Sequence, residues 1–279
     1  MSRRGLAVLR LDDRGVGEST GDRTAATTAD YAADNRASLD FLLARPDVDA
    51  KRSGLIGHSE GAMIAPMLAA DSADAGWIVM LAGPGVSGKR VLVAQSDAIS
   101  AAGGVPEELR RRLARITESV YAVVEDESDD ATAQTKIGEL IDAVEPTIAA
   151  AAGADADQLL AQIRAQAPLI TTPWFRWFVR YDPGPTLARV ACPVLALSGE
   201  LDLQVPAKQN LPAIVAALAA GGNRDFEAAK LPRLNHLFQT AETGSPAEYT
   251  GIEETVAPAV LALLEDWLRR HGVLPGAAR

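Results

Sequence analysis

The 279-residue chain is predicted to be an α/β protein whose parallel sheet is covered by helices on both faces. Two observations predict this. Short apolar runs alternate with longer stretches of helical period, and the runs end in turns rich in glycine and aspartate. Composition agrees, with 48% hydrophobic and 23% charged residues, ordinary for a globular domain. A chain of this length buries roughly three quarters of its unfolded surface and folds as one large domain or two small ones without staples.

The elements follow in order. Leu6 to Leu11 is a strand candidate closed by Asp12-Asp13-Arg14-Gly15, and Thr28 to Ala44 carries an apolar helical face of Tyr31, Ala32, Leu39, Leu42 and Leu43. Gly54 to Gly57 is a short buried strand, followed at once by a helical run from Gly61 to Ala70. Trp77 to Leu81, Pro193 to Leu197 and Phe226 to Leu231 complete the strand candidates. A last helix is expected from about Ile252 to Arg270, with Val256, Val260, Leu264, Trp267 and Leu268 on one face. Between Gly85 and Arg189 no strand is visible. That stretch is too long for a simple crossover and reads as a helical insertion. Its acidic run, Glu125 to Asp130, suits a solvated loop or a helix start. It ends in the aromatic-rich segment Pro173 to Tyr181, whose rings can dock the insertion on the core, line an apolar pocket, or both.

Charge and cysteine usage exclude several functions. A net charge of -10 disfavours nucleic acid and anionic membrane surfaces. The single cysteine, Cys192, excludes an internal disulfide and a cysteine zinc site, and three histidines leave little for a metal centre. No apolar run is long enough to span a bilayer, and the start lacks the apolar core of a signal peptide, so a cytoplasmic protein is expected.

Gly57-His58-Ser59-Glu60-Gly61 fits G-x-S-x-G, and it lies where a strand passes into a helix. A serine on that turn projects its Oγ beyond the sheet, the two glycines permit close backbone approach, and the helix N-terminus favours developing negative charge. The Glu60 N–H is an oxyanion donor candidate. A serine nucleophile needs a base and the base an orienting acid, in the chain order Ser, Asp or Glu, His. His236 follows the strand at Phe226 to Leu231, whereas His271 lies near the end of the last helix, where a surface role fits better. Asp202 lies just past the strand ending at Leu197, with Glu200 the competing carboxylate; His58 is assigned a structural role. Two glycine-rich segments are set aside. Gly83 to Lys89 has P-loop spacing, but Arg90 replaces the magnesium-binding Ser/Thr and Pro84 removes a phosphate-binding N–H. Gly15-Val16-Gly17 has Thr20 where a dinucleotide turn needs Gly or Ala.

With these residues in view, the chain resembles the α/β-hydrolases, specifically bacterial serine esterases whose helical cap precedes the acid-bearing strand. The matching segments are Gly5 to Ser19, Gly54 to Pro66, Leu81 to Gly85, Trp174 to Pro183, Cys192 to Pro206 and Leu234 to Gln239. The resemblance implies an α/β-hydrolase core formed by 1–85 and 189–279, with a helical cap at 86–188. It implies Ser59 as nucleophile, Asp202 as acid and His236 as base. Trp174 and Trp177 are expected in the substrate pocket. The expected reaction is cleavage of a small-molecule carboxylic ester through an acyl-enzyme, with no cofactor and no metal. A thioesterase or small-peptide amidase uses the same parts, and a catalytically impaired binding protein of the same fold is the alternative of another class. The resembling family has further strands before the position of Gly5, and the loop after its third strand supplies the second oxyanion N–H. The chain as written is therefore expected to be a weak hydrolase or none. Oligomeric state is not legible.

Overall fold

The computed structural model describes residues 2–152 and 156–274. The expected insertion 86–188 includes residues 153–155, and the expected core includes residues 1 and 275–279; these lie outside the described residues. Four strands form one parallel sheet in the order β1 (Leu55–His58), β2 (Ile78–Leu81), β3 (Val194–Gly199), β4 (Phe226–Leu231). The protein has the α/β-hydrolase fold, a parallel sheet flanked by helices.

The two central strands are apolar on both faces because both are covered. Ile78, Met80, Val194 and Ala196 pack on one side with α2 (Gly61–Asp71), α9 (Ala207–Ala220) and Leu39 of α1 (Thr28–Leu43). Val79, Leu195 and Leu197 face the other way, against Val260, Leu264, Trp267 and Leu268 of α10 (Pro258–Arg270). α1 starts where expected because Thr27 and Asp30 form a reciprocal capping box. α10 starts later than the periodicity predicts. Pro258 occupies its first turn, where a missing N–H costs nothing, and Pro246–Gly251 forms a separate 3-10 turn.

The strand expected at Leu6 to Leu11 does not form. Among the described residues no strand lies beside that segment to accept its hydrogen bonds, β1 pairs with β2 alone, and Val8, Leu9 and Leu11 are exposed. An apolar run is a strand only when a neighbour satisfies its backbone.

Between β2 and β3 lie α3 (Gly88–Ala102), α4 (Glu107–Asp126), α5 (Asp130–Ala152), α6 (Ala156–Gln166), α7 (Pro173–Arg180) and α8 (Gly184–Leu187). The acidic run spans the end of α4, a short link and the start of α5. Helices α4 to α7 share a separate apolar cluster that includes Val124, Ile137, Ile141, Leu160 and Val179. Leu187 of α8 instead joins the core beneath the sheet. α7 is initiated by the Thr172 side chain, which accepts from the Phe175 N–H, with Pro173 at the first position. α3 packs tightly on α7: a Cβ on Gly88 would lie 2.0 Å from the Phe178 carbonyl oxygen.

Candidate active site

Ser59 occupies the turn between β1 and α2 with φ 54°, a left-handed conformation that costs a non-glycine residue energy. The turn is held by Ser59 N–H donating to Leu81 O at 2.8 Å and Ala62 N–H donating to Ser59 O at 3.0 Å. A Cβ on Gly57 would lie 1.9 Å from Gly61 O, so the helix folds back onto the strand where only glycine fits. Gly61 itself has open space around its Cβ position. The expectation that close approach needs both glycines is therefore corrected: the crowding lies at Gly57 alone. Among the described residues, neither Ser59 Oγ nor the Glu60 N–H is engaged in a hydrogen bond.

Asp202 follows β3 on a turn drawn against the loop after β4. A Cβ on Gly199 would lie 2.2 Å from Leu234 O, and Leu201 N–H donates to Leu234 O at 2.9 Å. Asp202 and His236 are buried, at 3% and 4% exposure. Asp202 Oδ1 accepts from Gln204 N–H at 2.9 Å and from Val205 N–H at 2.8 Å, while Oδ2 lies 2.9 Å from His236 Nδ1. A carboxylate there requires the proton on Nδ1, which leaves Nε2 of the neutral ring as a proton acceptor. Asn235, fully buried, shapes the loop: its Oδ1 accepts from the Leu237 and Gln239 N–H groups, both at 3.0 Å, and its Nδ2 donates to Gln239 Oε1.

His58 joins this loop to the serine turn. Its Nε2 donates to His236 O at 2.8 Å, and the two rings lie 4.8 Å apart. Although part of its surface meets solvent, desolvation of the His58 ring pushes its pKa below the ordinary imidazole value and outweighs the hydrogen bond to His236 O, which favours the charged ring. Glu200 does not face His236. It is exposed, 3.2 Å from Lys230 Nζ, and accepts from the Arg233 N–H. His271 is tied to the end of α10 through Trp267 O and approaches Asp225 at 3.2 Å.

The aromatic segment divides its work. Phe175 and Val179 enter the cluster of the helical insertion, and Trp174 stacks on Phe178 at 5.2 Å. Trp177 stacks on Tyr181 at 4.5 Å, and both line a cavity of about 490 Å³ that contains neither Ser59 nor His236. Trp174 does not line that cavity; its Nε1 donates to Glu60 Oε1 at 2.6 Å. Trp174 thus makes a docking contact through both its ring and its N–H, beside the residue that follows Ser59. Sequence reasoning also missed Asn235, although a buried asparagine beside a loop histidine is a recognisable signal for side-chain bonding to the backbone. Among the described residues no group of three His, Cys, Asp or Glu side chains is placed to hold a metal, and no helix is long and apolar enough to cross a membrane.

Residues 1–183, about two thirds of the chain, match the family described as serine aminopeptidase, S33. Comparison with curated proteins found no match. Among solved structures, the α/β-hydrolase GrgF from Penicillium sp. sh18 is similar at 14% identity and TM-score 0.51, over 93% of this chain and 78% of that one. An esterase from Pyrococcus furiosus is similar at 13% identity and TM-score 0.45, over 92% of this chain and 65% of that one. A hydrolase of the alpha/beta fold family from Bacillus anthracis is similar at 16% identity and TM-score 0.45, over 94% and 80% of the two chains. At 14% identity the likeness to GrgF concerns fold alone. Family and fold therefore agree: the chain belongs to the serine aminopeptidase, S33 family of α/β-hydrolases.

Proposed function

We propose that this protein is a serine hydrolase that cleaves carboxylic esters through an acyl-enzyme. In this reading Ser59 is the nucleophile, His236 the general base and Asp202 its orienting acid, and α3 to α7 form a cap over the substrate. His236 Nε2 takes the proton of Ser59 Oγ as Oγ bonds to the ester carbonyl carbon, and the carbonyl oxygen becomes an oxyanion facing the Glu60 N–H. Collapse expels the alcohol, which takes that proton from His236. Water then attacks the acyl carbon, gives a proton to His236 and releases the acid, and the proton returns to Ser59 Oγ.

The observation that carries this reading is the buried Asp202–His236 bond, tied through the His58 contact to a strand end adjacent to the strained Ser59. The unengaged Glu60 N–H at the start of α2 supports the oxyanion role. Trp174, set against Glu60, and Trp177, through the cavity it lines, are the candidate contacts for a substrate group. A second reading, hydrolysis of aminoacyl amides, is favoured by the name of the matching family and uses the same residues. We further propose a cytoplasmic protein acting on a small molecule without cofactor, with neither nucleic acid nor membrane as partner, consistent with its single cysteine and acidic balance.

A fluorophosphonate probe tests the assignment. Labelling is expected at Ser59 and lost in Ser59→Ala with the fold intact; undiminished labelling of that variant overturns it. Turnover of an aryl ester, an acyl thioester and an aminoacyl arylamide then separates the substrate classes.

A further inference from the structure

The side chain of Glu60 points away from the chemistry assigned to its backbone. One carboxylate oxygen, Oε1, accepts two hydrogen bonds: from Thr28 Oγ1 at 2.5 Å and from Trp174 Nε1 at 2.6 Å. Thr28 is the first residue of α1 and is fully buried. Trp174 lies in the first turn of α7 and is fixed on its other side by the near-parallel ring of Phe178. Three elements distant in sequence thus meet on one oxygen, at the residue that follows Ser59: the start of α1, the serine turn, and the helix that ends the inserted bundle.

We propose that Glu60 is a positioning residue that registers α7, and with it the helical insertion, against the serine turn; this rests on the reading of Ser59 as nucleophile. Three physical points support it. Hydrogen bonds to a charged acceptor are about twice as strong as neutral ones. Both donors lie in rigid settings, a buried helix start and a stacked indole, so little side-chain freedom remains to be lost on bonding. A carboxylate one residue from a developing oxyanion would oppose it unless held aside, and the bonds from Thr28 and Trp174 direct that charge toward α1 and α7. The arrangement fixes the covering helix and turns the negative charge away in one contact.

The test uses Glu60→Ala, Glu60→Gln, Trp174→Phe and the double variant Glu60→Ala/Trp174→Phe in the full chain. Trp174→Phe removes the N–H but keeps a ring that can stack, and Glu60→Gln keeps an oxygen acceptor. Amide hydrogen exchange in 173–180 is expected to quicken by about tenfold in Glu60→Ala and in Trp174→Phe, and by only about threefold in Glu60→Gln, whose neutral oxygen keeps the bond at about half the strength. The double variant is expected to match Glu60→Ala, which has already lost the bond from Trp174 along with that from Thr28. The kcat/KM for an aryl ester should fall as those exchange rates rise and be partly kept in Glu60→Gln. Wild-type exchange in Glu60→Ala, or independent effects that multiply in the double variant, overturns the proposal. Failure of the nucleophile reading is separately visible as a wild-type protein unlabelled at Ser59, and the exchange result does not depend on it.

Discussion

Replacing Asp202 by asparagine substitutes an NH2 group for one carboxylate oxygen, and the structure dictates where that group goes. Oδ1 accepts from two backbone N–H groups, Gln204 and Val205, which cannot turn away without unravelling the turn. The amide oxygen must therefore take the Oδ1 place, and the NH2 must face His236 Nδ1 across the 2.9 Å gap now spanned by Oδ2. Two donors cannot share that gap. The ring answers by moving its proton to Nε2, where it now accepts at Nδ1 and has no lone pair left for the serine proton. Burial and packing are otherwise kept, so Asp202→Asn should shift the melting temperature by only about 2–4 °C, the effect of roughly 1 kcal/mol in a chain of this size. Ester turnover should fall by about 10⁴ in kcat, equivalent to about 5.5 kcal/mol at 1.36 kcal/mol per tenfold. The assay is steady-state hydrolysis of an aryl ester beside thermal unfolding, with ¹⁵N chemical shifts of His236 to read the tautomer. A variant within tenfold of wild type, or one whose His236 keeps its proton on Nδ1, would refute the tautomer reasoning.

Two further outcomes follow from the geometry. Gly57→Ala should destabilise by about 3 kcal/mol, since backbone rather than a movable side chain meets the new methyl, whereas Gly61→Ala, in open space at the first turn of α2, should be neutral or stabilising by up to about 1 kcal/mol; urea midpoints that rank the two variants the other way would contradict this. Because folding lowers the His58 pKa, the unfolded chain takes up that proton first as pH falls through the ordinary imidazole range; stability should be fully present above that range and decline below it, and His58→Gln should remove this contribution. Equal losses in wild type and His58→Gln between neutral and mildly acidic pH would remove His58 as the cause.

How much was legible in the chain follows from the range of the forces involved. The alternation of apolar runs with helical stretches revealed β1 to β4 within a residue or two, because burial pattern and turn chemistry are local. The serine turn was legible as Gly57 to Gly61 for the same reason, and the placing of Asp202 just past one strand and His236 past the next put both at the same end of a parallel sheet. Leu6 to Leu11 shows the limit: its apolarity predicts a strand, but pairing depends on a neighbour that the segment does not encode. The choice between Asp202 and Glu200 shows another. Two carboxylates two residues apart are nearly equivalent on paper, and only the turn held by Gln204 and Val205 aims one inward at His236 while the other reaches Lys230.

The amino-acid sequence by itself determined the order of the four strands β1 to β4, the strand-to-helix turn at Ser59 and the position of a long helical insertion, because hydrophobic period, capping and turn residues act over a few positions. Tertiary structure alone decided which polar atoms meet. The Glu60 carboxylate accepts from residues 32 and 114 positions away, and His58 reaches a carbonyl 178 residues distant. A hydrogen bond is decided over tenths of an ångström, and no local pattern in a chain specifies distances across its fold to that precision.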